Sequence, residues 1–311
     1  MTEIKRQKQD YLYVFLLGAL AFLLLWQSVI FQAIKEAMFL CYSTVIPSLF
    51  PFMILSDMIR QTYPHHSSIF SRLFSKIFSC CEEGFFPFFI GAICGFPIGV
   101  KEVCMLYRDK KINKEDANHL LGFVNLASPA FVIFGVGVGL RNNVFEGIIL
   151  YILQIFSSLT VAKFTSKKHK NEDVTVTYVG SSPRVSLPTT ITNSTMSMLT
   201  VCGMICTFFA VASIFTNILP GKFAVYPIAL LELVSGSRAI FTTFTNFPLF
   251  SFALTSFAIC FGGFCVHMQS NIFIAETDLS FSLYLKRKFL SGLIGFLISF
   301  FVGGAFYITL S

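Results

Sequence analysis

Four ionisable residues, Lys101, Glu102, Glu232 and Arg238, stand inside apolar runs of the chain, and they are the groups most able to do chemistry. A charge at the centre of a bilayer costs on the order of 3 kcal/mol or more, so such a group ordinarily faces a cavity and has a role. The plainer reading is a set of internal salt bridges. Lys101 and Glu102 end a stretch, residues 91–102, that Gly95, Pro97 and Gly99 interrupt. Each glycine costs a helix about 1 kcal/mol relative to alanine, and proline removes a donor and clashes one turn back. In hydrocarbon, a broken backbone persists only where protein covers it or where it lines a wet cavity. Interrupted helices beside ionisable groups mark substrate sites in transporters.

The second pair repeats the first. Gly236-Ser-Arg238 follows Gly99-Val-Lys101 at an offset of 137, and at the same offset Asn125 falls on Gly262. The polar stretches 125–129 and 262–269 are thereby equivalent. Half-helices starting near Gly99 and near Ser235 and Gly236 would point unpaired N–H groups into a common pocket. With Lys101 and Arg238 in those turns, the field favours an anion, and substrate carboxylates fit best. Glu102 and Glu232 would carry a coupling ion, Na+ or H+, or neutralise the bases. Asn125 and Ser128 in one half, and Gln269 and Asn271 in the other, complete the expected substrate-binding set; helix–helix hydrogen bonding is the alternative for them. His267 reads as a packing residue, and Asp57 as a residue near a helix end. No nucleophile–base pair, HExxH or Walker motif occurs, so no enzyme, metal or cofactor is expected.

Hydrophobic residues make up 55% of the 311-residue chain and charged ones 13%, about half the share usual in a soluble domain. This predicts an all-α polytopic membrane protein. The net charge of +7 belongs to loops between apolar segments, which fits the positive-inside rule and not nucleic-acid binding. Nine cysteines without a CxxC read as small buried hydrophobes.

Apolar segments fall near 11–31, 37–59, 84–107, 118–140, 143–162, 194–219, 223–247, 249–270 and 289–310. Residues 69–78 read as an amphipathic helix lying in the interface. If 84–107 and 223–247 are re-entrant hairpins and the N-terminus is cytoplasmic, Lys35, Arg141 and Lys222 lie outside and Lys101 and Arg238 lie in the membrane. The other 18 of the 23 basic residues are then inside. The organisation is an N-terminal transmembrane helix (1–34), a first repeat (35–162), a cytoplasmic linker (163–193) and a second, inverted repeat (194–311).

Residues 48–52 (Ser-Leu-Phe-Pro-Phe), 94–101 (Cys-Gly-Phe-Pro-Ile-Gly-Val-Lys) and 125–131 (Asn-Leu-Ala-Ser-Pro-Ala-Phe), with 230–236 and 261–264, resemble the sporulation integral membrane protein YlbJ family over roughly residues 35–300. The resemblance implies two nucleoside-recognition, or Gate, domains and a plan similar to concentrative nucleoside transporters. It implies a bacterial inner-membrane protein, in the outer forespore membrane among the alternatives, that moves dipicolinic acid during sporulation. The partners are then a small anionic aromatic solute and the lipid bilayer, with no nucleic acid and with homo-oligomerisation open. A non-transporting scaffold or sensor, and a transporter of a nucleoside-like solute, are the competing expectations.

Overall fold

The computed structural model describes residues 2–62, 68–166 and 186–308. Among them every regular element is helical, and four stretches are long and apolar enough to cross a membrane: Gln27–Gln61, Val144–Thr165, Leu187–Ile218 and Pro248–Ile274. The protein is a multi-pass, all-α membrane protein.

Helix α1 (Thr2–Leu25) ends at Trp26, whose backbone leaves the helix (φ −103°, ψ 18°). The expected break between 31 and 37 is absent. No Gly or Pro occurs from 27 to 46, so α2 (Gln27–Leu40) runs through a π-helical turn, Cys41–Val45, into α3 (Ile46–Thr62). Pro47 offers no N–H to the turn before it, and a widened turn absorbs that loss. Lys35 accordingly lies on an exposed helix face and not in a loop.

Helix α4 (Ile69–Phe78) opens with a Ser68/Ser71 capping box and lies 102° from the helical stretch Glu82–Cys94. Phe74 packs inward among Phe85, Phe88 and Phe123, while Ile69, Phe70 and Leu73 are exposed. That arrangement suits a helix lying along a bilayer surface.

Both expected hairpins turn back on themselves. In the first, α5 (Phe85–Cys94) and α6 (Ile98–Arg108) meet where a Cβ on Gly91 would lie 3.1 Å from the Gly99 Cα. Eight residues of continuous helix would separate those positions by about 12 Å. Gly95 makes the turn with φ +87°, open to glycine at no steric cost. In the second, α10 (Gly221–Leu231) and α11 (Leu233–Thr243) meet where a Cβ on Gly236 would lie 2.5 Å from the Ala229 Cα.

The segments after the hairpins are broken too. Helix α7 (Lys114–Leu121) gives way to an irregular stretch, 122–129, before the π-helical Ala130–Leu140. Helices α12 (Pro248–Phe261) and α13 (Gly263–Ile274) are separated at Gly262 and Gly263, with φ of +99° and +74°. Helices α8 (Val144–Thr165) and α14 (Phe281–Ile308) start 137 residues apart, the same offset that relates the sequence motifs. Contacts follow the same register. Lys114 donates to Asp278 at 2.6 Å, and the pair obtained by shifting each residue by 137, Ser251 and Arg141, is bonded at 3.2 Å.

Helix α9 (Leu187–Ile218) starts earlier than expected, with Pro188 in its first turn, and α8 extends to Thr165. Both edges of the 163–193 linker are therefore helical; its middle, 167–185, lies outside the described residues.

Candidate functional site

Two cavities lie at opposite ends of the same pair of long helical elements, α2–α3 and α9. The one near Gln61 has a volume of about 470 Å³ and is lined by Asp57 and Arg60 of α3, Lys101, Met105 and Arg108 of α6, Asn193 of α9, and Phe273 and Glu276 in or beside α13. The one near Gln27, about 860 Å³, is lined by Gln32 and Glu36 of α2, Thr216 and Asn217 of α9, and Ser235, Arg238 and Thr242 of α11. Leu40 and Asp57, the nearest lining residues on α2–α3, are 17 positions apart. That is about 25 Å of helix, close to the hydrocarbon thickness of a bilayer.

The cavities are built alike. Lys101 and Met105 line one, and their counterparts 137 residues on, Arg238 and Thr242, line the other. The sequence suggests a single pocket around Lys101 and Arg238; the structure gives each its own. The cause is the direction of entry, since each hairpin carries its second arm to a different end.

Their electrostatics differ as well. Lys101 is buried and its ammonium donates to Asp57 Oδ2 at 2.6 Å, with Ser194 Oγ 3.4 Å from the same oxygen. Beside it Glu102, 0% exposed, faces Arg60 at 3.4 Å without hydrogen-bond geometry, and Arg60 donates to Asp109 at 2.9 Å. Both Glu102 carboxylate oxygens and Asp57 Oδ1 lack a hydrogen-bond partner among the described residues. Arg238 is exposed to its cavity and has no ion pair among the described residues. It is the cation available to an incoming anion without first displacing a partner.

Glu232 is a helix cap. Its backbone is extended (φ −139°, ψ 127°), and its carboxylate accepts from the N–H groups of Val234 at 2.9 Å and Ser235 at 2.6 Å, and from the Ser235 hydroxyl. The anion-binding end of α11 is thus filled by the chain's own carboxylate, and Glu232 lines neither cavity. Ser235 lines the larger cavity; Gly236 supplies the close approach to Ala229.

The breaks hold the remaining expected residues. The Gly95 tip abuts Ser128, since a Cβ there would lie 2.8 Å from the Ser128 N; Pro97 caps α6, and Gly99 admits the Val124 carbonyl. Asn125 is fully buried and donates to Ser270 Oγ at 2.9 Å and Tyr284 OH at 2.7 Å. Tyr284 OH also meets His267 Nδ1 at 2.9 Å, and Lys288 donates to the Asn125 carbonyl at 2.7 Å. Asn125 therefore ties the two repeats together, the helix–helix alternative. Gln269 is buried and donates to Cys265 Sγ, and Asn271 is half-buried on α13; neither lines either cavity.

Arg60, Tyr284 and Lys288 belong to these clusters although nothing in their local sequence marks them. Asp57 takes more than the helix-end role its position suggests, and the clue to it is the demand of a buried Lys101 for a counter-charge. Lys286 and Arg287 make Lys288 look like part of a cytoplasmic loop, yet α14 starts at Phe281 and carries it into the interior. Arg141, expected in an outside loop, is buried against Glu146 and lies 5.5 Å from the centre of the Phe241 ring.

The chain is 26% identical over 308 aligned residues to the sporulation integral membrane protein YlbJ of Bacillus subtilis (strain 168), covering 84% of this chain and 74% of that protein. No family model matches the chain, and no solved structure matches it. The chain is thus a multi-pass, all-α integral membrane protein that is similar to a sporulation integral membrane protein over most of its length.

Proposed function

We propose that the protein is a secondary transporter of a small anionic solute, with dipicolinate as the first candidate, in the inner membrane of a sporulating bacterium. The observation that carries this reading is the pair of cavities at opposite ends of one helical wall, lined at equivalent positions by Lys101 and Arg238. Such a pair supports alternating access, in which one repeat's pocket opens as the other closes. Arg238 meets the anion without displacing a partner, whereas at Lys101 a substrate carboxylate has to take the place of Asp57. The Gln61 end, with Arg60, Arg108 and Lys114 near it, is the cytoplasmic one by the positive-inside rule.

The test is uptake of labelled dipicolinate into liposomes holding the purified protein. Arg238→Ala and Lys101→Ala are expected to abolish uptake with membrane insertion retained, and Asp57→Ala with Lys101→Ala controls for the stranded carboxylate. Normal uptake by both single variants removes the charge sites. Absence of uptake by the wild type, with no saturable thermal stabilisation by dipicolinate or a nucleoside, leaves the non-transporting scaffold.

A further inference from the structure

Lys288 is 0% exposed, and no carboxylate lies within ion-pair distance of it among the described residues. Its ammonium donates to the Asn125 carbonyl at 2.7 Å and lies 5.8 Å from the centre of the Phe96 ring, at the tip of the first hairpin. Phe96 in turn reaches the other repeat, where a Cβ on Gly262 would lie 3.4 Å from its ring. Lys288 thus sits where the irregular stretch 122–129, the hairpin tip and the Gly262 break converge.

The titratable groups facing it from the surrounding elements are Cys260 of α12, His267 of α13 and Tyr284 of α14, none of them a carboxylic acid. Arg287 turns to the Asn118 carbonyl at the end of α7, where His119 bonds to the Phe78 carbonyl. From α8 come Gln154 and Ser157, which do not titrate. A carbonyl and an aromatic face are all that offset the desolvation of this charge, and a buried cation without a counter-ion ordinarily resolves its cost by losing the proton. Two buried polar atoms of the same cluster, Asn125 Oδ1 and His267 Nε2, have no hydrogen-bond partner among the described residues.

We propose that Lys288 is the proton-carrying group that couples transport to a proton gradient. This rests on the transport reading above. Freed carbonyls at a helix break are where a coupling cation is held, and here the Lys288 nitrogen already lies on one. When the Phe96 tip moves off and water reaches the site from one side, the amine takes up one proton and is held as an ammonium; when the tip closes over it, burial without a counter-ion drives that proton off toward the other side and leaves a neutral amine.

Two measurements on the full-length protein test this. The first needs no substrate: the ¹⁵N resonance of the Lys288 amine, identified by its loss in Lys288→Met, is followed against pH in detergent micelles. A reversible change from ammonium to amine within the pH range over which the protein stays folded is expected; an ammonium signal constant over that whole range overturns the proposal. The second uses dipicolinate in liposomes. A proton gradient, and not a sodium gradient, is expected to drive accumulation, and both Lys288→Met and Lys288→Arg lose accumulation while keeping solute–solute exchange. The Arg variant keeps a permanent charge, so it serves if the Met variant does not fold. Accumulation by Lys288→Arg at the wild-type level, or driven by sodium in the wild type, overturns the proposal. If the wild type moves no dipicolinate, the transport reading fails on that solute and the resonance measurement still decides the role of Lys288.

Discussion

Lys101 and Asp57 lie 44 positions apart in sequence and 2.6 Å apart in space, both nearly buried. Breaking such a pair from one side leaves an uncompensated charge, which costs about 3–5 kcal/mol. Asp57→Ala is therefore expected to lower thermal stability in detergent sharply, and the double variant with Lys101→Ala to recover much of the loss. Equal stability of the single and double variants would show that the two charges do not depend on each other.

Gly99 is expected to be irreplaceable. A Cβ there would lie 2.3 Å from the Val124 carbonyl oxygen, so Gly99→Ala forces the hairpin arm and the irregular stretch apart. Overpacking of this kind costs about 1–3 kcal/mol. Gly203, on α9, has nothing within 4 Å of such an atom. Gly203→Ala should be neutral or stabilising by up to about 1 kcal/mol. Matched unfolding curves of the two variants check the contrast.

The tie between α7 and the loop after α13 should respond to pH only at the extremes. Lys114 and Tyr107 both donate to Asp278, and the Lys114 bond, then the Tyr107 bond, holds that carboxyl below its usual range. Its contribution is fully present above the ordinary aspartate value of about 3.9 and is lost as pH falls through the depressed one. Lys114 is held above its usual value by the same bond, so its contribution is present below about 10.4 and is lost as pH rises through the raised value. Amide protection factors of residues 275–280, taken relative to the intrinsic exchange rate at each pH, should be flat between these limits and fall outside them, and salt should weaken the tie because both groups are exposed. A step near neutral pH would be inconsistent with this account.

Asn193 and Thr216 line different cavities on the same helix. In a background without the native thiols, Asn193→Cys and Thr216→Cys, made singly, should react with a membrane-impermeant reagent from opposite sides. Labelling of both from one side would contradict the placement of the cavities.

The hairpins are legible in the sequence because one helix does not carry three breakers within five residues: Gly95, Pro97 and Gly99 announce the first turn, and the 137-residue echo locates the second. The pairing of charges is not. Asp57 reaches Lys101, and Lys288 reaches Asn125, only through tertiary packing, which no local spacing encodes. Glu232 is ambiguous in sequence because an intramembrane carboxylate and an N-cap carboxylate look the same until the backbone beside them is known. Trp26 is silent for the opposite reason: it ends a helix without carrying any of the usual breaker chemistry.

The bond from Lys114 to Asp278 and its counterpart between Ser251 and Arg141 have one more use. They extend the register from the hairpins to the segments that follow, so a substitution scan of 85–165 comes with its own internal comparison in the twin positions 222–302. Where twins respond alike, the shared architecture is being probed; where they differ, the scan has found what distinguishes the two faces of the membrane.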